Sequence, residues 1–161
     1  MHGKILLPLS SMKEEYPKLY KEQAKIYDGR ESLLRKKIPP LDCRWEDVLF
    51  FSTLNPTLIF AALELLGLLD DEVPIILRFP ISVLKDVEFC YYNEDDNQPF
   101  VKTTAARYKE EQNLPIETTK YFVSCVKKNE DPLIFSGVKH VLYKGEVDIS
   151  KATVIRYDSL R

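Results

Sequence analysis

Short apolar runs recur along this chain at the length of β-strands, and each is bounded by turn-forming residues. The run VLFFST at 48–53 is apolar on both alternating faces, so we expect a buried, central strand there. Pro8 either ends the opening strand or places that strand at a sheet edge. The predicted strands are residues 4–9, 48–53, 73–79, 87–92, 133–135, 141–143 and 153–157.

Helical spacing and capping residues mark the segments between these runs. Ser11 followed by Glu14 is a capping-box pattern, and Pro17 breaks or restarts the helix that it opens. Asn55-Pro56 supplies an N-cap and a first helical residue, and Gly67 supplies the stop. The pattern also predicts helices at 30–37 and 115–128, with a short helix at 103–111.

The order of these elements is strand, helices, strand, helix, two strands, helix and three strands. Such an order is typical of an α+β fold with mixed or antiparallel sheets flanked by helices. No linker or repeat interrupts the chain, so we expect one domain over residues 1–161. The polar segment 93–113 is long for a loop of a compact domain, and such loops are usually functional or mobile.

Composition narrows the function classes. A net charge of −2 gives no electrostatic signal for nucleic acid. Three well-separated cysteines and two histidines do not predict a disulfide framework or a metal site. The chain contains no GxGxxG, GxxxxGK[ST], HExxH or GxSxG motif. Rossmann, P-loop, zincin and α/β-hydrolase chemistry therefore have no support.

We also expect no targeting segment in this chain. The apolar stretch 58–69 is interrupted by Glu64 and is shorter than the roughly 20 residues of a membrane span. The N-terminal apolar run 5–9 is too short for a signal peptide and contains Pro8. We expect a cytoplasmic protein with no membrane partner.

Three short segments resemble the ADP-ribosyltransferase-like superfamily. His2-Gly3 resembles the His-Gly or Arg-Gly start of the first strand that contacts NAD. Phe51-Ser52-Thr53 resembles the aromatic/Ser-Thr end of a strand that shapes the nicotinamide pocket. The stretch from His140 to Ile155 resembles the final core strands with their glycine turn.

The resemblance implies a cleft for NAD, as a substrate rather than a resident cofactor, or for an ADP-ribose-type nucleotide. It implies catalytic roles for His140 and His2, ligand binding by Gly3, Ser52 and Thr53, and a rim formed by Tyr27 and Arg30. Most members of the superfamily place a glutamate where this chain has His140. A histidine supplies no fixed negative charge, which argues against transferase activity.

Structural interpretations stand beside these functional ones. Ser52 and Thr53 are also the polar end of a strand, Arg30 also suits a surface ion pair, and Trp45 suits a core position. The segments 27–31, 38–48 and 140–145 resemble a family of small bacterial proteins, and that resemblance implies no activity. The alternative function is a non-catalytic protein-interaction module, for example in a bacterial defence or toxin system.

Overall fold

The fold is seen in a computed structural model that describes residues 4–69, 75–84, 89–94 and 96–157. Helices and antiparallel sheets both occur in it, which confirms the predicted α+β class. The α-helices of this part of the chain are α1 (Met12–Glu15), α2 (Pro17–Ala24), α3 (Pro56–Leu65) and α4 (Ile116–Lys128).

Local sequence signals set the ends of these helices. Pro17 separates α1 from α2, as predicted. The Asn55 side chain caps α3 by accepting a hydrogen bond from the Thr57 amide at 3.1 Å. Ser11 precedes α1 but its side chain makes no capping hydrogen bond, because its backbone is already helical. The predicted capping box at α1 is therefore wrong, although the helix begins where expected.

Ten strands lie in the described residues, and all of their pairings are antiparallel. In chain order they are β1 (Ile5–Leu6), β2 (Lys37–Ile38), β3 (Cys43–Arg44), β4 (Leu49–Ser52), β5 (Ile75–Arg78), β6 (Phe89–Tyr92), β7 (Phe100–Thr103), β8 (His140–Tyr143), β9 (Val147–Asp148) and β10 (Thr153–Arg156). The main sheet has four strands in the order β4-β8-β6-β7. The other strands form the pairs β1-β9, β2-β3 and β5-β10.

Both faces of the main sheet are covered. One face carries Cys90, Tyr92 and Leu142, and the segment from β2 to β3 packs on it. The opposite face carries Phe89, Val141 and Tyr143, with Leu84 and Val147 against them. A third cluster joins α3 to α4 and contains the buried residues Leu54, Ile59, Phe60, Leu63, Phe122, Val138 and Tyr157.

The structure corrects two of the predicted strand assignments and adds a strand in a segment that was predicted as a loop. β4 lies at an edge of the main sheet rather than at its centre. Its apolar run reflects the side chains that pack on both of its faces, and it does not indicate how many strands pair with it. The polar segment 93–113 contains the edge strand β7, which has too few apolar residues to be recognised. Leu133 begins a turn rather than a strand, and its amide binds the Tyr121 hydroxyl at 3.0 Å.

The predicted helices at 30–37 and 103–111 are shorter in the structure. Each is a single 3₁₀ segment, at Glu31–Arg35 and Ala105–Arg107. No helix of the described residues has the length and apolar character needed to cross a membrane.

Candidate functional site

Two of the predicted site residues meet on neighbouring strands of the main sheet. The register of β4 against β8 places Ser52 directly opposite His140. Side chains at directly opposed positions project from the same face of a sheet, about 4.5–5.5 Å apart at Cβ. The Phe50 ring approaches the imidazole edge-on, with centroids 6.4 Å apart. A serine hydroxyl and an imidazole therefore share one end of the β4-β8 pair.

The two hydroxyls at the end of β4 differ in their surroundings. Thr53 is buried, and its hydroxyl donates to the Lys139 carbonyl at 3.1 Å. It therefore fastens the end of β4 to the start of β8. The Ser52 Oγ is half-buried and accepts a hydrogen bond from the Leu54 amide at 3.1 Å. That bond uses a lone pair of the hydroxyl and leaves its hydrogen available to an acceptor.

The surroundings of the His140 imidazole favour its neutral form. Burial lowers its pKa, and this effect exceeds the opposing influences of a hydrogen bond to the Val138 backbone and of the Glu111 carboxylate. In the neutral ring one nitrogen carries the hydrogen and the other is an acceptor. His140 can therefore accept a proton or a hydroxyl hydrogen near neutral pH.

The lowered pKa of His140 has a consequence for stability. Below about pH 6.5, the usual pKa of an exposed histidine, the unfolded chain takes up a proton that folded His140 resists. The free energy of unfolding should therefore fall as the pH drops from 7 to 5. His140→Gln should flatten this dependence in urea titrations across that range, whereas His2→Gln, the control at the other histidine, should retain the His140 contribution. An unchanged slope in His140→Gln would contradict the assignment.

Glu111 supplies a carboxylate at the same strand end, and the sequence did not indicate it. Its amide donates to the Thr53 carbonyl at 3.0 Å, and residue 111 forms an isolated parallel bridge with Leu54. Its Oε1 lies 3.3 Å from the Lys139 ammonium. Its Oε2 is buried and has no hydrogen-bond partner among the described residues. Buried carboxylate oxygens are normally hydrogen-bonded, so this atom is suited to accept from a ligand or a water.

Lys139 extends the site along the opposite face of the sheet. Its ammonium lies 5.8 Å from the centroid of the Tyr91 ring. A cavity of about 200 Å³ adjoins both side chains and is also lined by Asn93, Asp96 and Gln98 from the loop between β6 and β7. The Tyr91 hydroxyl accepts from the Lys109 amide at 2.9 Å, which ties the segment before Glu111 to the sheet.

The predicted rim residues lie in the segment before β2. Tyr27 is half-buried near the Trp45 side chain, and burial raises the pKa of its phenol. Trp45 in turn packs on Phe50, with centroids 4.8 Å apart. Arg30 is exposed and donates to the Ile26 carbonyl at 2.9 Å.

The remaining predicted site residues, His2 and Gly3, lie outside the described residues. The described part of the chain brings together Ser52, Thr53 and His140, and it adds Glu111 and Lys139. It contains no group of three or more His, Cys, Asp or Glu side chains that could hold a metal ion. The chemistry that these side chains offer is hydrogen bonding, proton transfer and charge stabilisation.

Comparison with protein-family models, with curated proteins and with solved structures finds no match to this chain.

Proposed function

We propose that this protein binds NAD or an ADP-ribose-type nucleotide at the shared end of β4 and β8. The observation that carries the proposal is the convergence of Ser52, His140 and Glu111 on that strand end. A donor hydroxyl, a neutral imidazole acceptor and a carboxylate are suited to the hydroxyl groups of a ribose.

The neighbouring cation completes the electrostatics of the proposed site. Lys139 balances the charge of Glu111, and its ammonium is also within the reach of an anionic group that enters the adjoining cavity. An ammonium on a flexible stem binds phosphate as a point charge. This cavity lies on the opposite face of the sheet from Ser52 and His140. A ligand that carries both hydroxyls and phosphates would therefore contact both by passing round the end of the β4-β8 pair, beside Glu111.

Glu111 also bears on whether the protein acts as a transferase. The superfamily motif predicts a carboxylate at the position of His140, and this chain supplies one from the segment after β7 instead. A carboxylate beside a bound ribose stabilises the positive charge that develops when the bond from C1′ to nicotinamide breaks. We therefore extend the proposal to ADP-ribosyltransferase-like chemistry, with Glu111 as the charge-stabilising group.

Calorimetric titration with ADP-ribose and with NAD tests the proposal. Replacing Glu111 by glutamine removes the charge and keeps the side-chain size, so we expect affinity to fall roughly 10- to 100-fold, as for a lost hydrogen bond to a charged group. The control is Glu110→Gln, because Glu110 is exposed on the same segment. Its affinity should equal that of the wild type.

Two results would contradict the proposal. The first is that neither ligand binds the wild-type protein at millimolar concentration. The second is that Glu110→Gln and Glu111→Gln weaken binding equally. The second result would mean that only the overall charge of the segment matters.

Protein binding is the second candidate function, and an exposed apolar face favours it. In the pair β5-β10, Ile75 and Val154 project from the same face and are 60% and 57% exposed. Contiguous exposed apolar surface commonly marks a protein interface. The titration separates the two candidates, because a module that only binds proteins shows no heat with either nucleotide.

A further inference from the structure

Lys36 projects its ammonium group into a cage of three aromatic rings on the main sheet. The ammonium lies 4.9 Å from the centroid of Tyr92, 5.1 Å from that of Trp45 and 5.5 Å from that of Phe100. It also donates to the Tyr92 hydroxyl at 3.2 Å. All three rings are within the roughly 6 Å over which an aromatic face attracts a cation.

The three rings come from separate parts of the chain and hold one another in place. Trp45 stands nearly perpendicular to Tyr92, at 83° and 5.0 Å between centroids. Tyr92 and Phe100 face each other across the β6-β7 pair at 5.1 Å. Trp45 also packs on Phe50, with centroids 4.8 Å apart. The cage is therefore built by packing that does not involve Lys36.

Such a ring cage has a known chemical preference. The faces of aromatic rings carry partial negative charge, so a cage attracts cations and tolerates methyl groups around the nitrogen. A quaternary ammonium loses less hydration on entering the cage than the strongly hydrated lysine ammonium. The rings that hold Lys36 are thus better matched to an alkylated ammonium than to Lys36 itself.

A shallow groove adjoins one ring of the cage. It has a volume of about 390 Å³ and lies between the edge strand β7 and the prolines Pro39 and Pro40. Phe100 forms part of its wall and is also one of the cage rings. A ligand that lies in the groove can therefore place a cationic end against Phe100.

We propose that the cage of Trp45, Tyr92 and Phe100 is a binding site for a quaternary ammonium group, and that Lys36 is a resident occupant which the ligand displaces. This site adjoins the proposed nucleotide site, because Tyr92 lies directly opposite His140 in the β6-β8 pair. Its three rings are not part of that site, so the proposal does not depend on nucleotide binding. Lys36 lowers the affinity for an external ligand, because the ligand binds only the fraction of molecules whose cage is vacated.

Tryptophan fluorescence reports directly on this site, because Trp45 is the only tryptophan in the chain. The protein is titrated with choline and, separately, with a short peptide that contains trimethyl-lysine. Lys36→Ala should bind both with a saturable change in Trp45 emission, at an affinity at least about tenfold higher than the wild type. Lys37→Ala is the matched control, since Lys37 is exposed and adjacent, and it should behave as the wild type does.

The two ligands distinguish the sources of the ammonium. Tighter binding of the peptide assigns the site to a protein segment that also occupies the groove, whereas equal affinities assign it to a small molecule. If Lys36→Ala keeps the wild-type circular dichroism spectrum and binds neither ligand, the proposal is wrong. Lys36→Ser, whose side chain is also too short to reach the rings, gives the same test if the alanine variant does not fold.

Discussion

Replacing Phe122 by alanine is expected to lower the free energy of unfolding by about 3–5 kcal/mol, the range for large aromatic residues deleted from a core. Phe122 is fully buried in α4 and belongs to the cluster that joins α4 to α3. Its neighbours Ile59, Phe60 and Leu63 are almost completely buried too, so little local collapse can fill the cavity. Urea unfolding followed by circular dichroism measures the loss.

A control on the same helix separates packing from helix propensity. Val126 is 45% exposed, and Val126→Ala should change the stability by no more than about 0.5 kcal/mol. A loss below about 1 kcal/mol in Phe122→Ala would mean that this cluster does not hold the two helices together.

Replacing Gly137 by alanine should have the second-largest effect, and it should act on the proposed nucleotide site as well. Gly137 has a φ of +72°, where an alanine costs about 1–2 kcal/mol. An added Cβ would also lie 3.0 Å from the Thr118 Oγ1 and 3.2 Å from its backbone nitrogen. Relief of that overlap adds about 1–3 kcal/mol, which gives a total of about 2–5 kcal/mol.

Gly29 provides the matched control for this substitution. Its φ is +76°, but nothing lies within 4 Å of an added Cβ, so Gly29→Ala should cost only the backbone strain of about 1–2 kcal/mol. Gly137 immediately precedes Val138, Lys139 and His140. Its replacement should therefore also weaken binding of ADP-ribose. Equal stabilities of the two alanine variants in urea unfolding would show that the contact with Thr118 is not close.

Local signals predicted the helices and several strands because those signals act over a few residues. Pro17 sets a helix boundary through steric effects, and Asn55 sets one through a capping hydrogen bond; both act within one turn. The apolar run of β8 and its turn at Gly145 were likewise visible in the sequence. The α+β class followed from the order of these elements.

These local signals do not predict where a strand lies within a sheet, and they do not reveal a polar strand at a sheet edge. Apolar periodicity reports which faces of a strand are covered, and it does not report what pairs with its edges. β4 was therefore expected at the centre, although it lies at an edge. β7 was missed because its outer face is exposed, with Val101 47% exposed.

The candidate site was predicted in part. Motif resemblance selected Ser52 and His140, and the strand register places them opposite each other. The sequence does not single out Glu111, because it stands in a polar segment, where a glutamate is usually a solvated charge. Only the long-range hydrogen bond from its amide to the Thr53 carbonyl brings it to the strand end.

The central claim is that the end of the β4-β8 pair is a nucleotide site. Mapping of backbone amide chemical shifts by NMR, during titration of the ¹⁵N-labelled protein with ADP-ribose, tests it most directly. We predict that the largest shifts occur at Ser52, Glu111 and the stretch from Lys139 to His140. Shifts confined to other parts of the chain, or no shifts at millimolar ADP-ribose, would contradict it.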